Sequence, residues 1–326
     1  MFSSYNYSNN HFYNYMNLYR EQLGLVFDQR SRMGGEGENH NFKAGADFFL
    51  GKQHTVGFMV NGYLNDFLWN SSSRTPISMM GQTAIDSVLV AASSNDGQRN
   101  NLNANLNYRF DNGKGKIWNL DADFGQFRNR SLESQPNRYY SPNEETLLQE
   151  RIYATEKPTD IDIMTFKVDH ERPLWGGQFG TGAKLAFVTT DNTFDFSDVV
   201  DGENILNRDL SNNFVYEENV NAAYATYSKQ GKRFGFNLGL RLEQTNSTGT
   251  LTAYKPTTND RVKRSYLDFF PSGGVTFNPS QKHSLKLNYS RRINRPSYQD
   301  LNPFQNRLDE LTYEQRNPCP QLPTVS

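Results

Sequence analysis

The sequence has no apolar run near the ~18 residues that a membrane helix needs. Its mean hydropathy is −0.78 and only 36% of its 326 residues are hydrophobic. A helical membrane protein is therefore excluded. Membrane strands are not, because their lipid-facing residues alternate with polar ones. The single cysteine, Cys319, excludes an internal disulfide. With 34 Lys and Arg against 35 Asp and Glu there is no basic excess, so no nucleic-acid partner is expected. The five histidines, His11, His40, His54, His170 and His283, lack ligand spacing, so no metal site is expected. The same reading expects no cofactor, and the histidines read as solvated turn or strand residues. Nothing places a serine beside a histidine and an acid, so an enzyme is not expected. "GGQFGTGAK" (176–184) resembles a phosphate loop but lacks its Gly-Lys-Ser/Thr ending and precedes no helix. "MFSSYNYSNN" has neither the basic nor the apolar region of a signal peptide.

What the sequence has is alternation. Leu102, Ala104, Leu106, Tyr108 and Phe110 interleave with Asn101, Asn103, Asn105, Asn107 and Arg109, and "DNG" leads into Trp118, Leu120, Ala122 and Phe124. Period-two patterning is a strand with one apolar and one polar face. Comparable hairpins turn at "GKQH" (51–54), Trp175-Gly176-Gly177, "SKQGKR" (228–233) and "NPSQK" (278–282), and a weaker one is expected near Asn9-Asn10. Leu102, Leu106, Phe236, Leu238 and Leu240 should share the apolar face. Asn103, Asn107, Asn237 and Arg241 should share the polar one, with further polar-face charges at Lys43, Asp47, Arg109, Asp121, Asp123 and Arg233. The tight turns alternate with polar links at roughly 69–96, 130–158, 197–212 and 248–261, which read as long unstructured loops on one rim. Short turns on one rim and long connections on the other are the asymmetry of outer-membrane barrels. The run from 97 to 110 is also far longer than the roughly 5–6 residues of a soluble strand. Aromatics make up 13%, and Tyr63, Phe67, Trp69, Trp118, Tyr227 and Tyr289 would suit interfacial girdles. The fold expected is all-β, an antiparallel meander of about 12 long strands belonging to a transmembrane outer-membrane β-barrel, with outer-membrane lipid as its partner. A soluble all-β glycan-binding module is the other reading of the same alternation.

The segment "LKLNYSRRINRPSYQDLNPF" (285–304) resembles the C-terminal barrel of TonB-dependent-receptor-like outer-membrane proteins of the Bacteroidetes type. The resemblance is carried by Tyr289, Ser290, Arg291, Arg292, Arg295, Pro296, Tyr298, Leu301, Asn302, Pro303 and Phe304. "MNLYRE" (16–21) and "ENHNFKAGADFFLGKQHTVGFMVNG" (38–62) are similar to that family too. Pro296 and Pro303 stop strand pairing, so the motif reads as a strand-to-loop junction and not a ligand site. The resemblance implies localisation in the cell outer membrane. It further implies a barrel of about 22 strands with a plugged lumen, taking up a scarce solute with energy passed on by a TonB-type coupling protein. A plug region and about half the strands are not found in this sequence, and the solute is not legible. The expected organisation is a partial barrel over 1–304 and an irregular, proline-rich tail over 305–326, with the terminal strands of the sheet not paired to each other. On this expectation the chain is a portion of a receptor, and the alternative is a passive pore or structural barrel.

Overall fold

The computed structural model describes residues 1–255, 260–280, 282–293, 305–309, 312–315 and 324–325. Thirteen strands form one antiparallel sheet: β1 (Phe2–Gln22), β2 (Leu25–Leu50), β3 (His54–Met79), β4 (Ser87–Asp111), β5 (Ile117–Tyr140), β6 (Leu147–Glu156), β7 (Thr159–Leu174), β8 (Gly177–Val200), β9 (Glu203–Leu206), β10 (Asn212–Gln230), β11 (Phe234–Ala253), β12 (Arg261–Ser280) and β13 (His283–Ser290). Each pairs mainly with its sequence neighbours, as a meander requires. β6 and β7 occupy a single strand position in unbroken register, with Leu132↔Glu156 and Asn129↔Thr159 on β5. The interruption between them falls at Lys157-Pro158, where proline has no N–H to give to the ladder. Among the described residues β1 pairs only with β2, and β13 only with β12.

Tight turns follow local chemistry. Leu23 and Gly24 have φ of 54° and 77°, and Trp175 and Gly176 have 49° and 73°. Two consecutive positive φ values make the turn whose twist matches paired strands, and glycine adopts the second at little cost. At the "DNG" turn, Asp111 Oδ1 accepts from Gly113 N (2.9 Å), and Asn112 Oδ1 accepts from Lys114 N and Lys116 N (2.8 and 3.0 Å).

Two expectations from sequence are corrected. No turn occurs at Asn9-Asn10: β1 is one ladder of 21 residues, and its turn is Leu23-Gly24. The polar links are also not unstructured loops. β3 and β4 stay paired up to Ile77↔Ser87, β5 runs to Tyr140 before β6 returns, and β8 turns at Asp201-Gly202 into β9. Leu251 N still donates to Asp260 O (2.7 Å) across the β11–β12 connection, where residues 256–259 lie outside the described ones. Backbone groups pair whenever two strands run alongside, whether or not their side chains alternate in polarity. Within the stretch expected to be an irregular tail, Gln305–Asp309 pairs with Thr312–Gln315, and Thr324–Val325 pairs with Arg292–Ile293 (β14). Residues 305–315 contain no proline, so nothing there blocks a ladder.

Where strands cross the sheet centre, glycine is used for close approach. A Cβ on Gly62 would lie 2.2 Å from the carbonyl oxygen of Asn101 and 2.9 Å from Phe42 Cζ. Backbone cannot swing aside as a side chain can. Gly62→Ala should therefore cost about 1–2 kcal/mol by overpacking, read as a lower urea midpoint for unfolding from lipid vesicles. An unchanged midpoint would mean the β3–β4 ladder gives way freely at that point.

Candidate functional site

Apart from irregularities at Tyr139-Tyr140 against β6 and between Phe277 and Ser280 of β12, the register is regular and assigns side chains to one of two faces. On one face stand Phe42 and Phe48 of β2, Phe58 of β3, Leu102 and Leu106 of β4, Leu120 and Phe124 of β5, Met164 and Phe166 of β7, Leu185 and Phe187 of β8, Phe236, Leu238 and Leu240 of β11, and Leu285 and Leu287 of β13. All of these large side chains are exposed. β10 contributes Ala223, Ala225 and Tyr227 to this face, with Asn219 and Asn221 opposite Phe187 and Leu185. An apolar face of this extent is incompatible with water and fits acyl chains. At its short-turn border lie aromatic contacts: Trp118 stacks on His170 (4.1 Å), Phe234 on Phe277 (4.7 Å), and His54 packs against Phe110 (5.0 Å). At its other border the same face turns ionic, with Arg128 on Asp162 (2.8 Å) and Arg130 on Asp160 (2.6 Å).

Trp118, Tyr227 and Tyr289 of the expected girdle lie on this face. Tyr63, Phe67 and Trp69 do not. Their partners Asn101, Gly97 and Asn95 put them on the opposite face, where Arg99 lies over the Phe67 ring at 4.3 Å. All five histidines stand on the apolar-face side of their strands, three of them (His54, His170 and His283) at its short-turn border.

The polar face carries the candidate site. Asn101, Asn103, Asn105 and Asn107 form a ladder in which Asn103 Nδ2 donates to Asn101 Oδ1 (2.5 Å) and Asn107 Nδ2 to Asn105 Oδ1 (2.8 Å). Asn105 Nδ2 donates to Asp123 Oδ1 (2.6 Å), which also receives Thr165 Oγ1 on its other oxygen (2.8 Å). Lys167 pairs with Asp169 (2.6 Å), Tyr224 donates to Asp169, and Arg241 pairs with Glu243 (2.5 Å). Direct cross-strand partners run Asp47, Gly57, Asn107, Asp121, Lys167, Lys184, Ala222, Glu243 and Asp268 in a single line. Glycines make room for this network: a Cβ on Gly182 would lie 2.6 Å from the Tyr224 hydroxyl and 2.7 Å from Asp169 Oδ1. That is the use of "GGQFGTGAK". The expected polar-face charges Lys43, Asp47, Arg109, Asp121, Asp123 and Arg241 do share this face, and Arg233 sits in the β10–β11 turn. Among the described residues no group of three His, Cys, Asp or Glu is placed to hold a metal ion.

Above the lipid band the polar face changes character. Phe27, Ile77 and Leu89 form one buried cluster, and Tyr153, Phe194 and Phe196 another. Beside the second, Glu133 pairs with Lys157 (2.8 Å) and accepts from Ser93 Oγ (2.8 Å) and Gln135 Nε2 (2.7 Å). Burial pushes the Glu133 carboxyl upward, but the adjacent Lys157 ammonium and the three hydrogen bonds outweigh it and hold the group below its ordinary value. The pair joins residues 24 apart, so only the strand register could have found it.

Of the motif residues, Arg291 anchors to the β12 backbone: its N–H donates to Pro271 O (3.1 Å) and its Nη1 to Phe269 O (2.9 Å). Arg292 opens β14. Arg295, Pro296, Tyr298, Leu301, Asn302, Pro303 and Phe304 lie outside the described residues.

A model of the outer membrane protein beta-barrel family matches residues 108–319. No curated protein matches the sequence. Among solved structures, the siderophore receptor PiuA from Acinetobacter baumannii is similar with a TM-score of 0.46 and 7% identity, over 89% of this chain and 49% of that one. The chain thus spans about half the length of that receptor. The translocator domain of the autotransporter NalP from Neisseria meningitidis is similar with a TM-score of 0.30 and 11% identity, over 89% of this chain and 80% of that domain.

Proposed function

The chain belongs to the outer membrane protein beta-barrel family and resides in the outer membrane, and from that premise we propose that it forms barrel wall of a TonB-dependent-type receptor that takes up a scarce solute. The observation that carries this reading is the line from Asp47 to Asp268 on the polar face. In a barrel that face lines the lumen. Carboxylates, amides and two adjacent lysines at lipid depth there would hold a polar occupant by hydrogen bonds, as a plug domain requires. The sheet has eleven strand positions, about half of the ~22 that enclose a plugged lumen; ten of them cross the apolar band, while β1 ends within it at Phe2↔Gly45. The resemblance at 285–304 supports the same family of receptors. The short-turn rim would face the periplasm, where a TonB-type coupling protein would act through the plug. On this reading the protein moves a solute and performs no chemistry on it.

Protein purified from outer membranes and inserted into planar bilayers should stay closed at rest. It should conduct when moderate urea unfolds the plug, and close again on washing. Steady conductance in buffer alone would overturn the reading in favour of a passive pore.

A further inference from the structure

The lipid-facing side of the sheet continues past the lipid band on β1–β3. On β2 it carries Phe42, then His40, Glu38, Glu36, Gly34 and Arg32. Gly34 lies eight residues beyond Phe42, about 26 Å along a strand rising about 3.3 Å per residue. With the usual barrel tilt, that is roughly 20 Å above the acyl chains. At that height the face opens into a groove of about 490 Å³ whose lining includes Gly34, Tyr13, Tyr15, Arg32, the His11–Glu36 pair and Asn70. The Tyr13 ring rests on Gly34, where a Cβ would come within 3.2 Å of its Cδ1. Tyr13 and Tyr15 are 81% and 72% exposed, and His11 Nε2 stands 3.4 Å from Glu36 Oε2. Arg32 makes no ion pair among the described residues.

Two uncovered tyrosine rings, an uncommitted guanidinium and amide and carboxylate groups in one trough are poorly suited to acyl chains. Phenol rings offer a flat apolar surface to the C–H face of a sugar and a hydroxyl to its rim. A free guanidinium matches phosphate with two parallel hydrogen bonds. We propose that this groove binds the phosphorylated saccharide headgroup of an outer-leaflet glycolipid. The occupant is a membrane lipid because the groove is continuous, along the same strands and on the same face, with the surface that meets acyl chains. The assignment rests on the outer-membrane location and not on solute uptake.

The test is native mass spectrometry of the folded chain in detergent, loaded with lipopolysaccharide that carries core sugars but no long O-chain. Heat-modifiable gel migration confirms folding of each variant. Wild type should retain the glycolipid. Arg32→Gln should lose about tenfold in retention, the scale of one charge-assisted hydrogen bond. Arg32→Lys, which keeps the charge but not the fork, should lose less. Tyr13→Ala with Tyr15→Ala should also lose retention, while Lys52→Gln on the opposite rim should not. Full retention in the Arg32→Gln chain, or in the double tyrosine variant, would overturn the proposal. So would equal displacement by phosphatidylglycerol, which has the charge without the sugar. Disulfide-linked dimers from Tyr15→Cys in native membranes would instead assign the groove to a second copy.

Discussion

A Leu106→Arg chain should unfold from lipid vesicles with about 2–4 kcal/mol less stability than wild type, whereas Asn105→Arg, one residue away, should change it by less than about 1 kcal/mol. Leu106 lies midway along the apolar run of β4, between Phe58 and Ala122, and is 56% exposed. An exposed leucine in water makes a poor target, because arginine there costs almost nothing. The same exposure in hydrocarbon strands a guanidinium where no water or counter-charge can reach it. Asn105 points the other way, beside Asp123 (2.6 Å), so an arginine there meets water and a carboxylate. Urea midpoints in vesicles measure both. Equal losses at the two positions would mean that both faces of the sheet meet the same solvent, and the barrel reading would fail.

This contrast was legible from sequence, because it depends only on period two. The strands that alternate cleanly (102–110, 118–124 and 234–242) fell on the faces assigned to them, and so did the turns at Gly51, Gly113 and Gly176. The signal fails where polarity does not alternate. Residues 69–96 hold a polar run at 70–74 and an unbroken apolar run at 88–92, so no period-two pattern separates a loop from the extended β3–β4 ladder that they form. β1 fails for a related reason: its tyrosines all stand at odd positions, but Asn and Ser occur on both faces, so no clean apolar-polar contrast carries the strand past Asn9-Asn10. Residue type alone suits Tyr63, Phe67 and Trp69 to an interface, but parity counted from Phe58 puts them on the polar face, because every odd residue of β3 lies there. The line from Asp47 to Asp268 needs the register of eight strand pairs at once, and no local pattern encodes that.

The Glu133–Lys157 pair depends on the same hidden register, and breaking it should have the second largest effect. Glu133 is nearly buried, with its side chain 14% exposed, against 34% for Lys157. Removing one partner of a fully buried pair costs about 3–5 kcal/mol, because the other charge is left without compensation. Partial exposure of the lysine lets water recover some of this, so Lys157→Ala should lose about 2–3 kcal/mol at pH 7. The pH dependence identifies the cause. In the native chain the folded pKa of Glu133 is lowered from 4.5. Its contribution is therefore fully present above the unfolded value and is lost as pH falls through the folded one. Without Lys157, burial is opposed only by the hydrogen bonds from Ser93 and Gln135, and the carboxyl should shift upward. The variant should then regain stability relative to wild type as pH falls from 7 towards 4.5, because protonation discharges the orphaned carboxylate. Glu133→Gln combined with Lys157→Met removes both charges and should recover most of the loss at every pH. Urea midpoints of the three chains at pH 7 and 4.5 decide the matter. A Lys157→Ala deficit that is the same at both pH values would mean that lost packing against the Phe194 ring, and not an uncompensated charge, governs this part of the sheet.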